Sequence, residues 1–158
     1  MRFKLLIFDW NGTLYDVSDA TTARHGQLYP EVPDLLRALA AEGYALAVAT
    51  AASKRSILYI LEDNQLESLF SAFVTADDGY YKPQAEVINK ILDATGFSAA
   101  EALMIGDTLS DLQCAKNAKV AAVAIRSGPG ATESLMSLQP LVCLASVVDL
   151  PNWLACQS

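Results

Sequence analysis

Five polar residues in this chain have the types and the spacing to do chemistry together: Asp9, Thr50, Lys82, Asp107 and Asp111. Each follows, or lies shortly after, a short apolar run of the kind that forms a strand buried on both faces. The carboxyl ends of parallel strands meet at one edge of a sheet, and open α/β sheets bind their ligands there. We therefore expect these five side chains to converge on one crevice.

Carboxylates that converge in this way repel each other unless a cation lies between them. Oxygen ligands with room for water and phosphate oxygens are typical of Mg²⁺ sites. A lysine and a hydroxyl group beside them can hold phosphate oxygens, so the set favours a site for phosphoryl transfer. Simpler structural interpretations remain open, with Thr50 as a helix cap, Lys82 as a solvated loop charge and Asp111 as an acid in a first helical turn.

Strands and helices that alternate along the chain must position these residues. The predicted strands are Phe3–Phe8, Tyr44–Ala49, Ala72–Thr75, Leu103–Ile105, Val120–Ile125 and an edge strand Leu141–Leu144. The predicted helices run from Val32 to a stop at Gly43, onward from a cap at Ser53, from Lys82-Pro83 to Gly96, over Leu109–Asn117 and over Val147–Leu154. The alternation predicts one α/β domain over residues 1–158, a three-layer Rossmann-like parallel sheet of five to six strands with helices on both faces.

Composition limits the partners of this chain. A net charge of -7 argues against nucleic acid and against an anionic membrane surface. The three cysteines show no metal-binding spacing, and the first residues show no signal peptide, so we expect a cytoplasmic protein with reduced thiols. No apolar run approaches the roughly 18 residues that a membrane span needs.

The motifs that carry these polar residues resemble those of the haloacid dehalogenase superfamily. In chain order they are Asp9-Trp10-Asn11-Gly12-Thr13-Leu14, Thr50 after its apolar run, Lys82-Pro83, and Gly106-Asp107-Thr108-Leu109-Ser110-Asp111. The last two look most like the phosphoglycolate phosphatase-like branch. The resemblance covers nearly the whole chain and implies an Mg²⁺-dependent phosphatase.

The resemblance also implies roles for individual residues. Asp9 would be the nucleophile that forms an aspartyl-phosphate. The implied Mg²⁺ ligands are Asp9, the backbone carbonyl of Asn11, Asp107 and Asp111, the last directly or through an intermediary. The implied phosphate-binding residues are Thr50, Ala51, Lys82, Asn11 and Gly12.

Asn11 departs from the family pattern, in which phosphatases carry a second aspartate at this position. That aspartate protonates the leaving oxygen and later deprotonates the attacking water, and such help is worth about 10² to 10⁴ in rate. An amide cannot exchange protons in this way. Two hypotheses therefore stay open: a phosphatase slowed by Asn11, and a phosphate-binding protein with little or no turnover.

The spacing of the motifs also leaves no room for a cap domain, the second domain that often covers the site in this family. Residues from about 15 to 31 form only a short polar loop or flap in place of a cap. An open site fits a small phosphorylated substrate, a bulky or macromolecular one, or closure by a second subunit of a homo-oligomer. Arg24, His25, Arg126 and the loop Ser127–Gly130 are candidates for contact with such a ligand, against an interpretation as solvated loop residues.

Overall fold

A six-stranded parallel sheet forms the centre of the structure, a computed structural model that describes residues 1–17, 27–126 and 132–157. Its strands are β1 (Leu5–Phe8), β4 (Ala45–Ala49), β5 (Phe70–Val74), β6 (Ala102–Gly106), β7 (Ala121–Ile125) and β8 (Val142–Leu144). Two further strands, β2 (Tyr15–Asp16) and β3 (Gln27–Leu28), form a separate antiparallel ribbon. The sheet order is β5-β4-β1-β6-β7-β8, so β1 is a central strand, between β4 and β6.

Helices cover both faces of this sheet. They are α1 (Val32–Ala41), α2 (Lys54–Asp63), α3 (Ala85–Thr95), α4 (Leu109–Asn117), α5 (Thr132–Met136) and α6 (Leu150–Ala155). One core cluster joins α1, α2 and α6 to one face, and another joins α3 and α4 to the opposite face. The three-layer Rossmann-like α/β fold with six strands is thereby confirmed.

The side chains of β1 show why the sheet needs both layers. Leu6 and Phe8 point to one core cluster, whereas Leu5 and Ile7 point to the other. All four are fully buried, as a strand in the middle of a covered parallel sheet requires. A strand held so firmly on both sides fixes the residue that follows it, which is Asp9.

Local sequence signals account for most helix ends. Pro33 lies in the first turn of α1, and Gly43, with φ of +101°, follows its end. Ser53 caps α2 by accepting a hydrogen bond from the backbone N–H of Ser56, as predicted. Gly96 ends α3 in the left-handed conformation that glycine adopts readily.

The structure corrects two expectations from the sequence and adds one helix. The stretch predicted as a loop over about 15–31 contains the ribbon of β2 and β3, which is too short to show a strand period. The helix expected to open at Lys82-Pro83 begins at Ala85, because residues 81 to 84 form a turn in which the N–H of Gln84 donates to the carbonyl of Tyr81. The short helix α5 was not predicted, and five residues carry no readable apolar stripe.

No second domain stands between β1 and α1 among the residues that the structure describes, which contribute only the ribbon there. The extent of the domain over residues 1–158 stays a prediction. None of the described helices combines the length and the apolar character that crossing a bilayer would need.

Candidate active site

A buried ion-pair network at the carboxyl edge of the sheet joins three of the predicted residues. The Nζ atom of Lys82 lies 2.7 Å from Oδ1 of Asp9 and 2.5 Å from Oδ1 of Asp111. It also donates to the backbone carbonyl of Ala49, at 3.0 Å. An ammonium group has three donors, and these contacts use all of them.

Lys82 is thus far from a solvated loop charge. Its side chain is 11% exposed, and that of Asp111 is fully buried. The turn that carries Lys82 is fastened to neighbouring elements, since Nδ2 of Asn117 donates to the carbonyl of Pro83 at 2.8 Å and Sγ of Cys114 donates to that of Gln84 at 3.2 Å. These bonds fix the base of a long side chain and so direct its ammonium group into the site.

The position of Asp9 is set by the centre of the sheet. Its backbone N–H donates to the carbonyl of Ile105 at 2.9 Å, which extends the pairing of β1 with β6 by one residue. The next residues turn back sharply, with the N–H groups of Leu14 and Tyr15 both donating to the carbonyl of Trp10. The chain therefore leaves the sheet immediately after Asp9, and its carboxylate stands at the strand end.

The two carboxylate oxygens of Asp111 make different contacts: Oδ2 stabilises the start of α4, and Oδ1 binds Lys82. Its Oδ2 accepts from the backbone N–H groups of Asp107 and Thr108, each at 3.1 Å, and from the hydroxyl of Thr108 at 2.9 Å. Thr108 in turn caps α4 by accepting from the N–H of Asp111, so the two residues form a reciprocal capping box. The interpretation of Asp111 as a first-turn acid is therefore also correct, while its other oxygen holds Lys82.

Asp107 is the residue whose surroundings call for a ligand. It has no exposed surface, and neither carboxylate oxygen has a hydrogen-bond partner among the described residues. Oxygen atoms of Asp9, Asp107 and Asp111 lie within 4.8 Å of one another. When all three are ionised, Lys82 leaves two negative charges in the cluster uncompensated, so the donor set suits a hard divalent cation.

Glycine at position 12 permits this arrangement. Gly12 has φ of +82°, and a Cβ atom built there would overlap the carboxylate of Asp107. Gly106 is restricted in the same manner by the side chain of Asp111. Both glycines therefore keep space open for carboxylates of the cluster.

Burial raises the pKa of all three carboxyl groups in the cluster. Asp9 reaches a pKa of about 6 because burial outweighs the lowering by Lys82. Asp111 also reaches about 6, through burial and the charge of Asp9, again against Lys82. Burial likewise raises the pKa of Asp107. For Lys82, burial alone would lower the pKa, but the charges of Asp111 and Asp9 outweigh it and raise the pKa above its ordinary value.

Thr50 and its neighbours lie at the end of the adjacent strand β4. The N–H of Thr50 donates to the carbonyl of Val74, and its hydroxyl accepts from the N–H of Ala52 at 3.1 Å. The helix cap is Ser53, so Thr50 does not cap α2. None of the described residues accepts a hydrogen bond from this buried hydroxyl, so its proton is available for donation, and Ala51 beside it is exposed.

Asn11 lies at the surface of the same edge. Its backbone carbonyl accepts no hydrogen bond from the residues that the structure describes. Arg126 is exposed after β7, whereas Arg24, His25 and Ser127–Gly130 lie outside the described residues. Sequence reasoning missed the role of Thr108, although the spacing Thr-x-x-Asp to Asp111 is a recognisable capping signal.

Comparisons with known proteins give a consistent result. The sequence pattern described as haloacid dehalogenase-like hydrolase matches residues 16–125, a range that begins after Asp9. A phosphoglycolate phosphatase of Aliivibrio fischeri is 35% identical over 114 residues, which are 72% of this chain and 50% of that protein. A 5'-nucleotidase of Pseudomonas aeruginosa is 31% identical over 125 residues, or 78% of this chain and 57% of that protein.

The chain spans about half the length of the curated relatives it matches. Among solved structures, a haloacid dehalogenase-like hydrolase from Streptococcus pneumoniae superposes with a TM-score of 0.81 at 19% identity. The superposition covers 97% of this chain and 99% of the other. At that identity, the likeness supports the fold and not a particular substrate.

Proposed function

The chain belongs to the haloacid dehalogenase-like hydrolase family, and from that premise we propose that it is an Mg²⁺-dependent phosphohydrolase that cleaves phosphate monoesters through Asp9. The observation that carries the proposal is the buried carboxylate cluster, in which Asp107 has two oxygens without a partner among the described residues. The names of the curated relatives, a phosphoglycolate phosphatase and a 5'-nucleotidase, support the same class of substrate.

In this proposal, Asp9, Asp107, the backbone carbonyl of Asn11 and Asp111 would hold Mg²⁺, with Asp111 acting directly or through a water molecule. The metal would supply the positive charge that lets an anionic phosphate approach an acidic site. The Oδ2 atom of Asp111 already accepts three hydrogen bonds, so Asp107 and Asp9 have the more available oxygens.

Asp9 would then act as the nucleophile. A carboxylate oxygen attacks phosphorus, a P–O bond to Asp9 forms, and the ester P–O bond breaks with its electron pair leaving on the ester oxygen. Water then attacks the aspartyl-phosphate, releases inorganic phosphate and restores the Asp9 carboxylate. Both steps keep the charge on oxygens that the site can stabilise.

Lys82 and Thr50 would bind the phosphoryl oxygens, together with the backbone N–H groups of Ala51 and Asn11. The N–H of Gly12 already donates to the carbonyl of Tyr15 at 2.8 Å, so it would have to exchange that acceptor for a phosphate oxygen. Since Lys82 already uses its three donors, a phosphate oxygen must replace one acceptor. We expect it to replace Asp9, because that exchange frees the attacking carboxylate at the moment when substrate binds. The ammonium group would remain anchored by Asp111.

Asn11 supports a second candidate function, a phosphate-binding protein with little turnover. An amide cannot protonate the leaving oxygen, and the side chain of Asn11 is exposed at the edge where a proton donor would act. A protein of this kind would bind phosphate mimics with Mg²⁺ and would not release phosphate from esters.

The test is Mg²⁺-dependent hydrolysis of an aryl phosphate by the wild type, Asp9→Asn and Asn11→Asp. An aryl leaving group needs little protonation, so it reports on the nucleophile and the metal even without an acid. The proposal expects turnover by the wild type, none by Asp9→Asn, and a gain of about 10²-fold with Asn11→Asp on an alkyl phosphate. The exposed Asp93→Asn in α3 serves as a matched control and should behave as the wild type.

Each candidate function has its own outcome in this experiment. A wild type that is inert while Asn11→Asp is active supports the binding protein. Absence of hydrolysis by both would refute the phosphohydrolase.

The nature of the ligand beyond its phosphate is also a proposal. The described residues contribute no domain that covers the site, so we expect a ligand that brings its own bulk or a second copy of the chain that closes the crevice. Light scattering with and without Mg²⁺ and a phosphate mimic distinguishes these two, since only the second predicts an oligomer.

A further inference from the structure

An uncharged surface groove lies against the first two turns of α4, on chain segments that also carry residues of the candidate active site. It is open to solvent and has a volume of about 380 Å³. Its lining residues are Pro83, Leu109, Ser110, Gln113, Ser137 and Leu138. None of them carries a charge, in a chain of which 18% of the residues are charged.

The groove and the carboxylate cluster are built from the same two chain segments. Pro83 directly follows Lys82, and its carbonyl is held by Asn117 of α4 at 2.8 Å. Leu109 directly follows Thr108, whose backbone N–H binds Asp111. The groove therefore begins one residue along the chain from Lys82 and from Thr108, and the side chains of both of these residues contact Asp111.

Leu109 lines this groove but does not belong to the buried face by which α4 packs on the protein. It is the first residue of α4, and it is 47% exposed. The apolar side chains by which α4 packs on the protein are others, namely Leu112, Cys114 and Ala115. An exposed leucine gains stability when an apolar group covers it, so its position at the edge of a ligand site points to an apolar contact.

The polar atoms of the groove are few and neutral. Nε2 of Gln113 donates to Oδ1 of Asn117 at 2.9 Å, which leaves Oε1 of Gln113 as an acceptor. Ser110 is exposed and offers a hydroxyl group. Such groups can orient a hydroxyl or an amine of a ligand, but they cannot compensate a carboxylate.

We propose that this groove binds the organic part of the substrate, and that the substrate is a phosphate monoester whose organic part is uncharged and largely apolar, such as an aryl or nucleoside group. The inference rests on the proposed function, because it takes the carboxylate cluster as the place where the phosphate binds. An organic part with its own carboxylate is disfavoured, since none of the described residues that line the groove is a cation.

The experiment measures binding without turnover, with phenylphosphonate and methylphosphonate as probes and isothermal titration calorimetry in MgCl₂. The wild type should bind phenylphosphonate about tenfold more tightly than methylphosphonate, and Leu109→Ala should reduce that ratio to about threefold or less. A carboxylate in the para position of the phenyl ring should weaken binding. Leu141→Ala is the matched control, because Leu141 is 44% exposed and does not line the groove.

Three results would overturn the inference. The first is that the wild type binds phenylphosphonate and methylphosphonate with equal affinity. The second is that Leu109→Ala and Leu141→Ala show the same ratio of these two affinities, and the third is that neither phosphonate binds. Hydrolysis of acetyl phosphate by the wild type tests the proposed function separately. A tenfold ratio without hydrolysis refutes the phosphohydrolase and keeps the groove, whereas hydrolysis with a ratio near one refutes the groove alone.

Discussion

Replacing Asp107 by asparagine should make the metal-free protein more stable and should abolish its response to Mg²⁺. Asp107 is fully buried, and its two carboxylate oxygens have no hydrogen-bond partner among the described residues. Asparagine has the same shape and no charge, and its amide can donate to the carboxylate of Asp9. The substitution therefore removes a repulsion and adds a donor where the structure has none.

The magnitude follows from the cost of a buried polar group without a partner, about 1–3 kcal/mol and more when it is charged. For a domain of this size, 1 kcal/mol corresponds to about 2–4 °C in Tm. We expect Asp107→Asn to raise the Tm by about 2–12 °C in EDTA. A ligand at 100 times its Kd stabilises a protein by about 2.7 kcal/mol, so saturating Mg²⁺ should raise the Tm of the wild type alone.

The assay is thermal unfolding of both proteins in EDTA and in MgCl₂, with Asp93→Asn as the control on an exposed aspartate. In EDTA, the Tm of Asp107→Asn should exceed that of the wild type. Mg²⁺ should raise the Tm of the wild type and leave that of Asp107→Asn unchanged. A lower Tm for Asp107→Asn in EDTA would refute the argument that this carboxylate is strained by its burial. A full Mg²⁺ shift in the variant would remove Asp107 from the cation site.

Three further predictions concern the same network and its surroundings. Lys82→Met should lower the free energy of unfolding by about 3–5 kcal/mol at pH 7 in EDTA, because it leaves two buried carboxylates unpaired. Lys4→Met, which removes the solvent-screened pair with Glu101, should cost far less than Lys82→Met, and equal losses of the two variants in urea unfolding would contradict the assignment. In EDTA, the contribution of Asp9 and Asp111 to stability should fall as the pH rises from about 4 to 6. Their pKa values of about 6 exceed those of the unfolded chain, so the folded state binds these protons more tightly and loses that advantage as they dissociate. Urea titrations at several pH values should show a smaller decline in Asp9→Asn, and an unchanged decline would exclude Asp9 as its source. The Cys114 thiol, whose pKa burial raises to about 11, should react with a disulfide reagent at pH 8 only after unfolding, whereas the exposed Cys156 should react at once; rapid reaction at both sites would contradict the burial of Cys114.

The sequence predicted the strand ends of this fold well because apolar runs bounded by turn residues are an unambiguous signal. Asp9, Thr50 and Asp107 follow strands as expected, and α4 spans Leu109–Asn117 as predicted. The antiparallel ribbon could not be predicted, since strands of two residues have no period to detect. Its pairing depends on the turn after Asp9, which is a matter of tertiary contact.

The site was predicted as a set of residues and not as a network. Spacing placed Lys82 at the correct edge of the sheet, but no pattern in the sequence says that its ammonium bridges Asp9 and Asp111. The sequence also does not indicate that a Cβ atom on Gly12 would overlap the side chain of Asp107. The sequence can predict which residues lie at the ends of the strands. The pairing of individual oxygen atoms with individual donors can be learned only from the three-dimensional structure.

The three acceptors of Lys82 are distant from it along the chain, by 73, 33 and 29 residues. Each contact closes a long loop, and closing that loop lowers the conformational entropy of the chain before the contact can form. The ammonium group therefore finds its partners only after β1, β4 and α4 have joined the same assembly. The proposed cation site would therefore form late in folding and be lost on global unfolding, so the site and the sheet would share one cooperative transition.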